Sequence, residues 1–77
     1  MLTPLSHLTL GQTARVVRVD VRDEIGQRIL EMGVTPGTLV RLTGAAPLGG
    51  PLVFEVRGYS LSLRKAEAER VEVDSGP

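Results

Sequence analysis

Apolar residues recur at every second position in several short runs of this chain, and turn-forming glycines and prolines separate the runs. The clearest run contains Leu52, Phe54 and Val56. Because successive side chains of a strand point to opposite faces, such a run predicts a strand that is buried on one face. By this reasoning the predicted strands are 13–21, 39–43, 52–57, 60–64 and 70–74. An isolated hairpin is only marginally stable in water, so we expect about five strands to curl into a small barrel.

One segment follows a different period, which predicts a short helix inserted after the first strand. Ile25, Ile29 and Met32 recur at spacings of four and three, as residues on one face of a helix do. Asp23 is expected to cap the N-terminus of this helix, and Gly33 is expected to end it in the left-handed conformation. The helix would then lie over one end of the barrel.

Three other segments depart from the simple alternation. Val16 and Val17 are adjacent and apolar, which predicts a β-bulge in the first strand or burial of that strand on both faces. Residues 1–10 contain several leucines and a proline, and they predict an N-terminal arm that covers one open end of the core. Residues 75–77 predict a flexible tail. With a length of 77 residues, the whole chain (1–77) is expected to form a single, mainly β domain.

The composition argues against several classes of function. Nine basic and nine acidic residues cancel, whereas nucleic-acid binding relies on excess positive charge. The chain has no cysteine and a single histidine, His7, so we expect no catalytic centre, no cofactor and no metal site within one chain. Asp20, Asp23 and Glu24 lack the spacing of a calcium loop, which favours a solvated turn over a cation site. No apolar segment is long enough to insert into a membrane, and we expect a cytoplasmic protein.

The end of the predicted helix and the loops are the best candidates for a contact surface. Leu30, Met32 and Val34 crowd the helix end, and Leu39 and Leu48 lie in or beside loops. A chain this short cannot bury all of these side chains, so some are expected to form an exposed apolar patch of the kind that marks protein contacts. Met32 can instead belong to the buried face of the helix.

Two motifs in this order resemble a known family. The first is Met-Gly-x-x-Pro-Gly at 32–37, and the second is Gly-Tyr-x-x-x-Leu-Arg at 58–64. Together with Leu5-Ser6, Leu10-Gly11 and the segment 66–73, they resemble the FeoA-like domains of the ferrous iron transport protein A family. The resemblance implies an SH3-like barrel and a cytosolic accessory protein of bacterial ferrous iron uptake. It also implies a partner, the membrane transporter FeoB, whose cytosolic part is a GTP-binding domain, and a place at the inner face of the membrane.

We expect the partner to bind around the helix end, the Pro36-Gly37 turn and the Gly49-Gly50 loop. The residues expected to touch it are Leu30, Met32, Pro36, Leu48 and Tyr59, with Arg28, Glu31 and Arg64 as a polar rim. Three glycines are expected to set the backbone geometry of the turns, namely Gly33, Gly37 and Gly58. Tyr59 can instead be a structural residue at the corner between two strands.

Two other hypotheses stay open at this point. The first is a self-associating, metal-responsive module, in which iron or zinc bridges two or more chains through His7 and carboxylates. The second is a nucleic-acid-binding barrel, which conflicts with the zero net charge. Weak self-association is compatible with the transporter hypothesis as well.

Overall fold

Six antiparallel strands form one sheet in the computed structural model, which describes residues 1–75. The strands are β1 (Leu2–Pro4), β2 (Thr13–Val19), β3 (Leu39–Ala45), β4 (Leu52–Val56), β5 (Tyr59–Leu63) and β6 (Val71–Asp74). The helices are a 3-10 helix (Leu5–His7), α1 (Glu24–Glu31) and α2 (Lys65–Ala68). Of the predicted tail, Gly76 and Pro77 lie outside the described residues, and the Ser75 N–H donates to the Met1 carbonyl at 3.3 Å.

The strand order is β1-β6-β2-β3-β4-β5. Strands β2 to β5 therefore follow one another as antiparallel neighbours, and β6 returns to pair with β2. This topology confirms the mainly β class and the short inserted helix, which lies between β2 and β3. The predicted strand number was too low, because the arm contributes β1, in which Leu2 pairs with Asp74 and Pro4 with Glu72.

The core lies between the inner face of the curled sheet and the helical segments. Its fully buried side chains include Phe54, Leu5, Ile29, Leu63, Val16, Val34, Val40, Val56, Val71 and Val73. The N-terminal arm was predicted to cover the core with its leucines, and two of them do so. Leu5 and Leu8 are buried, whereas Leu2 and Leu10 remain on the surface.

A β-bulge resolves the adjacent valines of β2. The register between β2 and β6 shifts between Val16 and Arg18, which leaves Val17 without a partner on β6. Val16 and Val19 are buried and Val17 is exposed. The bulge therefore lets both buried valines face the core although they are an odd number of residues apart.

Helix α1 begins and ends as its sequence predicts. The Asp23 carboxylate accepts a hydrogen bond from the Gly26 N–H at 3.0 Å, and Gly33 follows the helix with φ +100°. Gly26 has a packing role, because a Cβ at this position would overlap the Asp20 carbonyl. The absence of a side chain at Gly26 thus lets α1 lie directly against the end of β2.

Candidate partner-binding surface

The Thr35–Thr38 turn is held by two arginines, one from strand β2 and one from the loop between β4 and β5. The Thr38 N–H donates to the Thr35 carbonyl at 3.0 Å, and Gly37 has φ +91°. Arg15 of β2 donates through Nη1 to the Gly37 carbonyl at 2.8 Å. Arg57, between β4 and β5, donates through Nη2 to the hydroxyls of Thr35 (3.1 Å) and Thr38 (2.9 Å). The two guanidiniums fasten the turn, with Pro36 at its corner, to the sheet.

A two-residue hairpin loop of positive-φ residues joins β4 to β5. Val56 pairs with Tyr59, and the intervening Arg57 and Gly58 have φ +49° and +86°. This is the backbone of a type I′ turn, which normally takes Asn-Gly because both positions require positive φ. Arg57 is therefore held in a conformation that its residue type disfavours.

Tyr59 connects the start of β5 to the end of α1. Its hydroxyl donates to the Met32 carbonyl and occupies the space that a Cβ on Gly33 would take. Tyr59 nevertheless remains 42% exposed as a residue. Tyr59 thus has the structural role weighed above and still presents aromatic surface beside Met32.

The predicted apolar patch at the helix end is smaller than expected. Val34 is fully buried, because the chain turns into the core directly after Gly33. Leu30 and Met32 are half-buried and pack against the core. The exposed apolar side chains of this set are Leu39 and Leu48.

Leu48 lies at the tip of the loop between β3 and β4. It is fully exposed and has φ +60°, followed by Gly49 with φ +76°. A large apolar residue in the left-handed region, without any contact that buries it, is a local feature that folding alone does not favour. The neighbouring cleft of about 360 Å³ is lined by Gly49, Gly50, Pro51, Arg64, Lys65 and Ala66.

Two of the three polar rim residues, Arg28 and Arg64, contact Glu67 of α2. Its Oε1 accepts from the Arg64 N–H at 2.8 Å, and its Oε2 lies 3.5 Å from Arg28 Nη2. Glu31 is exposed at the end of α1. The candidate residues therefore form two groups, one around Met32, Tyr59 and the turn, and one around the Leu48 loop and Arg64. Arg28 contacts both regions, because its carbonyl accepts from the Met32 N–H at 3.0 Å and its guanidinium reaches Glu67. Along β5, the two groups are roughly 17 Å apart, from five residues at about 3.4 Å each.

A polar cleft of about 610 Å³ beside β6 was not predicted. Arg22 donates to both carboxylate oxygens of Asp20 at 2.9 and 2.8 Å, and Arg70 Nη2 lies 2.6 Å from Asp23 Oδ2. The hydrogen bonds from these guanidiniums lower the pKa of Asp20 and of Asp23. Both carboxylates are thus bound by arginines, and Asp23 also caps α1.

Within residues 1–75, no three His, Asp or Glu side chains lie close enough together to hold a metal ion. His7 is exposed, with its Nδ1 3.4 Å from the Thr3 hydroxyl. The helices found in this range are too short to cross a membrane.

Comparison with known proteins identifies the family. The FeoA domain profile matches residues 3–75. A Fe(2+) transport protein A/Fe(2+) transporter FeoB fusion protein from Porphyromonas gingivalis is 39% identical over 70 residues, which are 91% of this chain. This chain spans only 8% of the length of that fusion protein.

Two solved structures share the whole fold. An FeoA-like protein from Clostridium acetobutylicum superposes with a TM-score of 0.89 at 32% identity, covering 96% of this chain and 86% of the other. FeoA of Stenotrophomonas maltophilia, solved with zinc and described as a prokaryotic SH3 domain protein, gives 0.82 at 37% identity, covering 96% and 89%. The SH3-like barrel is thereby confirmed, and this chain belongs to the FeoA family, which is linked to ferrous iron transport.

Proposed function

We propose that this chain is a non-enzymatic accessory protein of bacterial ferrous iron uptake that binds the cytosolic region of FeoB and modulates the transporter. The observation that carries the proposal is the Porphyromonas gingivalis relative, in which the matching segment and FeoB are parts of one polypeptide. Fusion holds two domains at a high effective concentration, which benefits domains that act on each other. The description of the Stenotrophomonas maltophilia relative as a candidate ferrous iron transport activating factor agrees with this role.

The two groups of candidate residues can belong to one contact surface. A typical stable interface covers roughly 800 Å² on each partner, which corresponds to a patch roughly 30 Å across. The protein measures 29 × 28 × 22 Å, with an accessible surface of 4788 Å². A patch of that size spans one side of the molecule and easily covers the distance along β5. We therefore propose that Met32 and Tyr59 at one end, and Leu48 at the other, contact the same partner.

Leu48 is the best single anchor within this surface. It combines full exposure with a backbone conformation that leucine disfavours, so binding is the most direct reason for its presence. Because the loop also carries Gly49 and Gly50, it can adapt to a partner. The side chain would enter an apolar pocket of the transporter domain and lose its contact with water.

A titration with the cytosolic GTP-binding domain of the cognate FeoB tests the proposal. Leu48→Asp and Met32→Asp are expected to weaken binding about tenfold or more, whereas Leu10→Asp, a substitution at a leucine that is 68% exposed, is expected to leave binding unchanged. Circular dichroism shows whether each variant is folded. Undetectable binding by the wild-type chain, or equal weakening by all three folded variants, would refute the proposed surface.

Modulation of the transporter requires a second readout. GTP hydrolysis by the same FeoB domain is measured with and without this chain, and the wild-type chain is expected to change the rate while Leu48→Asp does not. We place the protein in the cytoplasm, because the cytosolic region of FeoB is its proposed partner. Recruitment to the inner face of the membrane would then follow from that contact alone.

The zinc complex of the Stenotrophomonas maltophilia relative favours one second candidate, the metal-responsive module. Since one copy of residues 1–75 brings no three candidate ligands together, a bridging ion would need carboxylates or His7 from a second copy. Sedimentation velocity with and without zinc tests this alternative. A zinc-induced dimer that His7→Ala abolishes would support it, and an unchanged monomer would refute it.

A further inference from the structure

The basic side chains of this protein are not equally neutralised. Five of the nine are in ion pairs, namely Arg18, Arg22, Arg28, Arg41 and Arg70. Within the described part of the chain, the remaining four have no carboxylate partner: Arg15, Arg57, Arg64 and Lys65. Arg15 and Arg57 instead bond to a carbonyl and two hydroxyls, which carry no charge. Positive charge is therefore left over next to the Thr35–Thr38 turn.

The two unneutralised arginines flank an exposed leucine on the outer face of the sheet. Arg15 pairs with Leu39 across β2 and β3, and Arg57 follows Val56, whose partner on β3 is Val40. Leu39 therefore lies between the two arginines in the cross-strand direction, and it is 52% exposed. We call Arg15, Leu39 and Arg57 the Leu39 face.

A shallow depression beside Leu39 gives this face a shape. Its volume is about 390 Å³, and it is lined by Thr13, Leu39, Val40, Arg41, Glu55, Arg57 and Gly58. Arg41 and Glu55 pair with each other at 3.1 Å, so they contribute little net charge. Among the residues that line the depression, Arg57 is therefore the one whose positive charge is not neutralised. Arg15 adds a second positive charge on the opposite side of Leu39.

Both guanidiniums are fixed before any partner arrives. Arg15 is held by the Gly37 carbonyl, and Arg57 by Thr35 and Thr38, although each side chain remains exposed. Arg57 also has a positive φ, a conformation that is retained where the surrounding structure enforces it and that is frequent at binding sites. A side chain that is already ordered loses less conformational entropy on binding, so it contributes more to affinity.

We propose that the Leu39 face binds an acidic segment of a partner protein, in which an apolar side chain covers Leu39 and carboxylates reach Arg15 and Arg57. The planar guanidinium fork matches the geometry of a carboxylate. The exposed Leu39 favours a protein segment over nucleic acid, because a peptide can supply an apolar side chain that covers it, whereas a phosphate backbone cannot. This inference goes beyond the proposed function, since it applies to any protein that carries such a segment.

The test uses the full chain labelled with ¹⁵N and the synthetic peptide acetyl-Glu-Asp-Leu-Asp-Glu-amide. Amide shifts are expected to be confined to Arg15, Leu39, Gly58 and their neighbours. Arg15→Gln and Arg57→Gln are each expected to weaken binding about threefold, as for exposed ion pairs. Leu39→Ser is expected to weaken it by a similar factor, because the apolar contact is lost.

Matched controls separate this face from general charge attraction. Lys65→Gln removes another unpaired cation, and Leu2→Ser changes a leucine on β1 that is 54% exposed; neither should alter the affinity. Arg57→Lys keeps the charge but loses the fork, so it should bind more weakly than the wild type and show an unchanged fold. The peptide acetyl-Lys-Lys-Leu-Lys-Lys-amide should not bind.

Four outcomes would overturn the inference. The first is that the amide shifts map to another face, and the second is that Lys65→Gln weakens peptide binding as much as Arg57→Gln does. The third is that Leu39→Ser leaves the peptide affinity unchanged. The fourth is that a single-stranded oligonucleotide, or vesicles of anionic phosphatidylglycerol, bind at the same amides more tightly than the acidic peptide. Because the probe is a peptide, the result does not depend on FeoB, and failure of the transporter titration would leave this test intact.

Discussion

Replacing Gly33 with alanine tests how the end of α1 is fastened to β5. Gly33 has φ +100°, and the Tyr59 hydroxyl occupies the space that a Cβ would need. The same hydroxyl donates to the Met32 carbonyl. An alanine here therefore meets two separate penalties, which are the strain of the left-handed backbone and the displacement of the tyrosine.

The size of the effect follows from these two terms. The left-handed conformation costs an alanine about 1–2 kcal/mol. Tyr59 can move because its hydroxyl is the far end of the side chain, but it then loses a hydrogen bond worth about 1 kcal/mol. The free energy of unfolding should fall by about 2–3 kcal/mol in total, out of roughly 4–12 kcal/mol for a chain of this length. The expected decrease in Tm is roughly 10–20 °C.

Urea unfolding followed by circular dichroism measures the change, and two controls separate its causes. Gly37→Ala has the same kind of strain at φ +91°, but no atom lies within 4 Å of the added Cβ, so it should cost only about 1–2 kcal/mol. In a Tyr59→Phe background, Gly33→Ala should also cost only the strain term, because the hydroxyl is absent. Equal effects of Gly33→Ala in both backgrounds would refute the role assigned to Tyr59.

Three other changes have expected outcomes. Gly26→Ala should lower the free energy of unfolding, measured in urea, by about 1–3 kcal/mol, because the added Cβ would overlap the Asp20 carbonyl. This loss should exceed the gain from the better helix propensity of alanine, and a neutral effect would contradict the packing described for Gly26. Asp20 and Asp23 have lowered pKa values in the folded protein, so they stabilise it fully above about pH 4, and this stabilisation should be lost as the pH falls further. Urea unfolding at several pH values should therefore show a weaker acid dependence for Asp20→Asn than for the wild type. Leu48→Asn should raise the Tm slightly, because asparagine tolerates positive φ, while weakening FeoB binding; a lower Tm would argue against strain at this loop.

The strands with one buried face could be predicted from the sequence, because burial leaves a period of two in the residues themselves. Phe54 and Val56 show this pattern in β4, and both are fully buried. β1 leaves no such pattern, since it has three residues and is held by pairing with β6 at the other end of the chain. A short edge strand of this kind depends on long-range contacts that no local window of sequence contains.

The candidate surface was predictable in part for a similar reason. The positive φ of Gly33 after the helix was expected from its position, but the contact between the Tyr59 hydroxyl and Met32 joins two motifs that are distant in sequence. Val34 was counted among the candidates for an exposed patch but is fully buried, because the sequence does not show that the chain turns into the core directly after Gly33. Leu48 was recognised as a loop residue, whereas its positive φ required the structure.

The zero net charge is a property of the whole chain, and binding depends on how charges are paired locally. The sequence shows dispersed arginines balanced by an equal number of acids, which argues against nucleic acid. In the fold, the carboxylates neutralise Arg41 and Arg70 but leave Arg15 and Arg57 with neutral acceptors. A protein of zero net charge can therefore present a positively charged site of two fixed guanidiniums, because its carboxylates lie at other places on the surface or pair with other arginines. The same distribution predicts that added salt weakens the binding of an acidic peptide to the Leu39 face, because the attraction between exposed charges is screened.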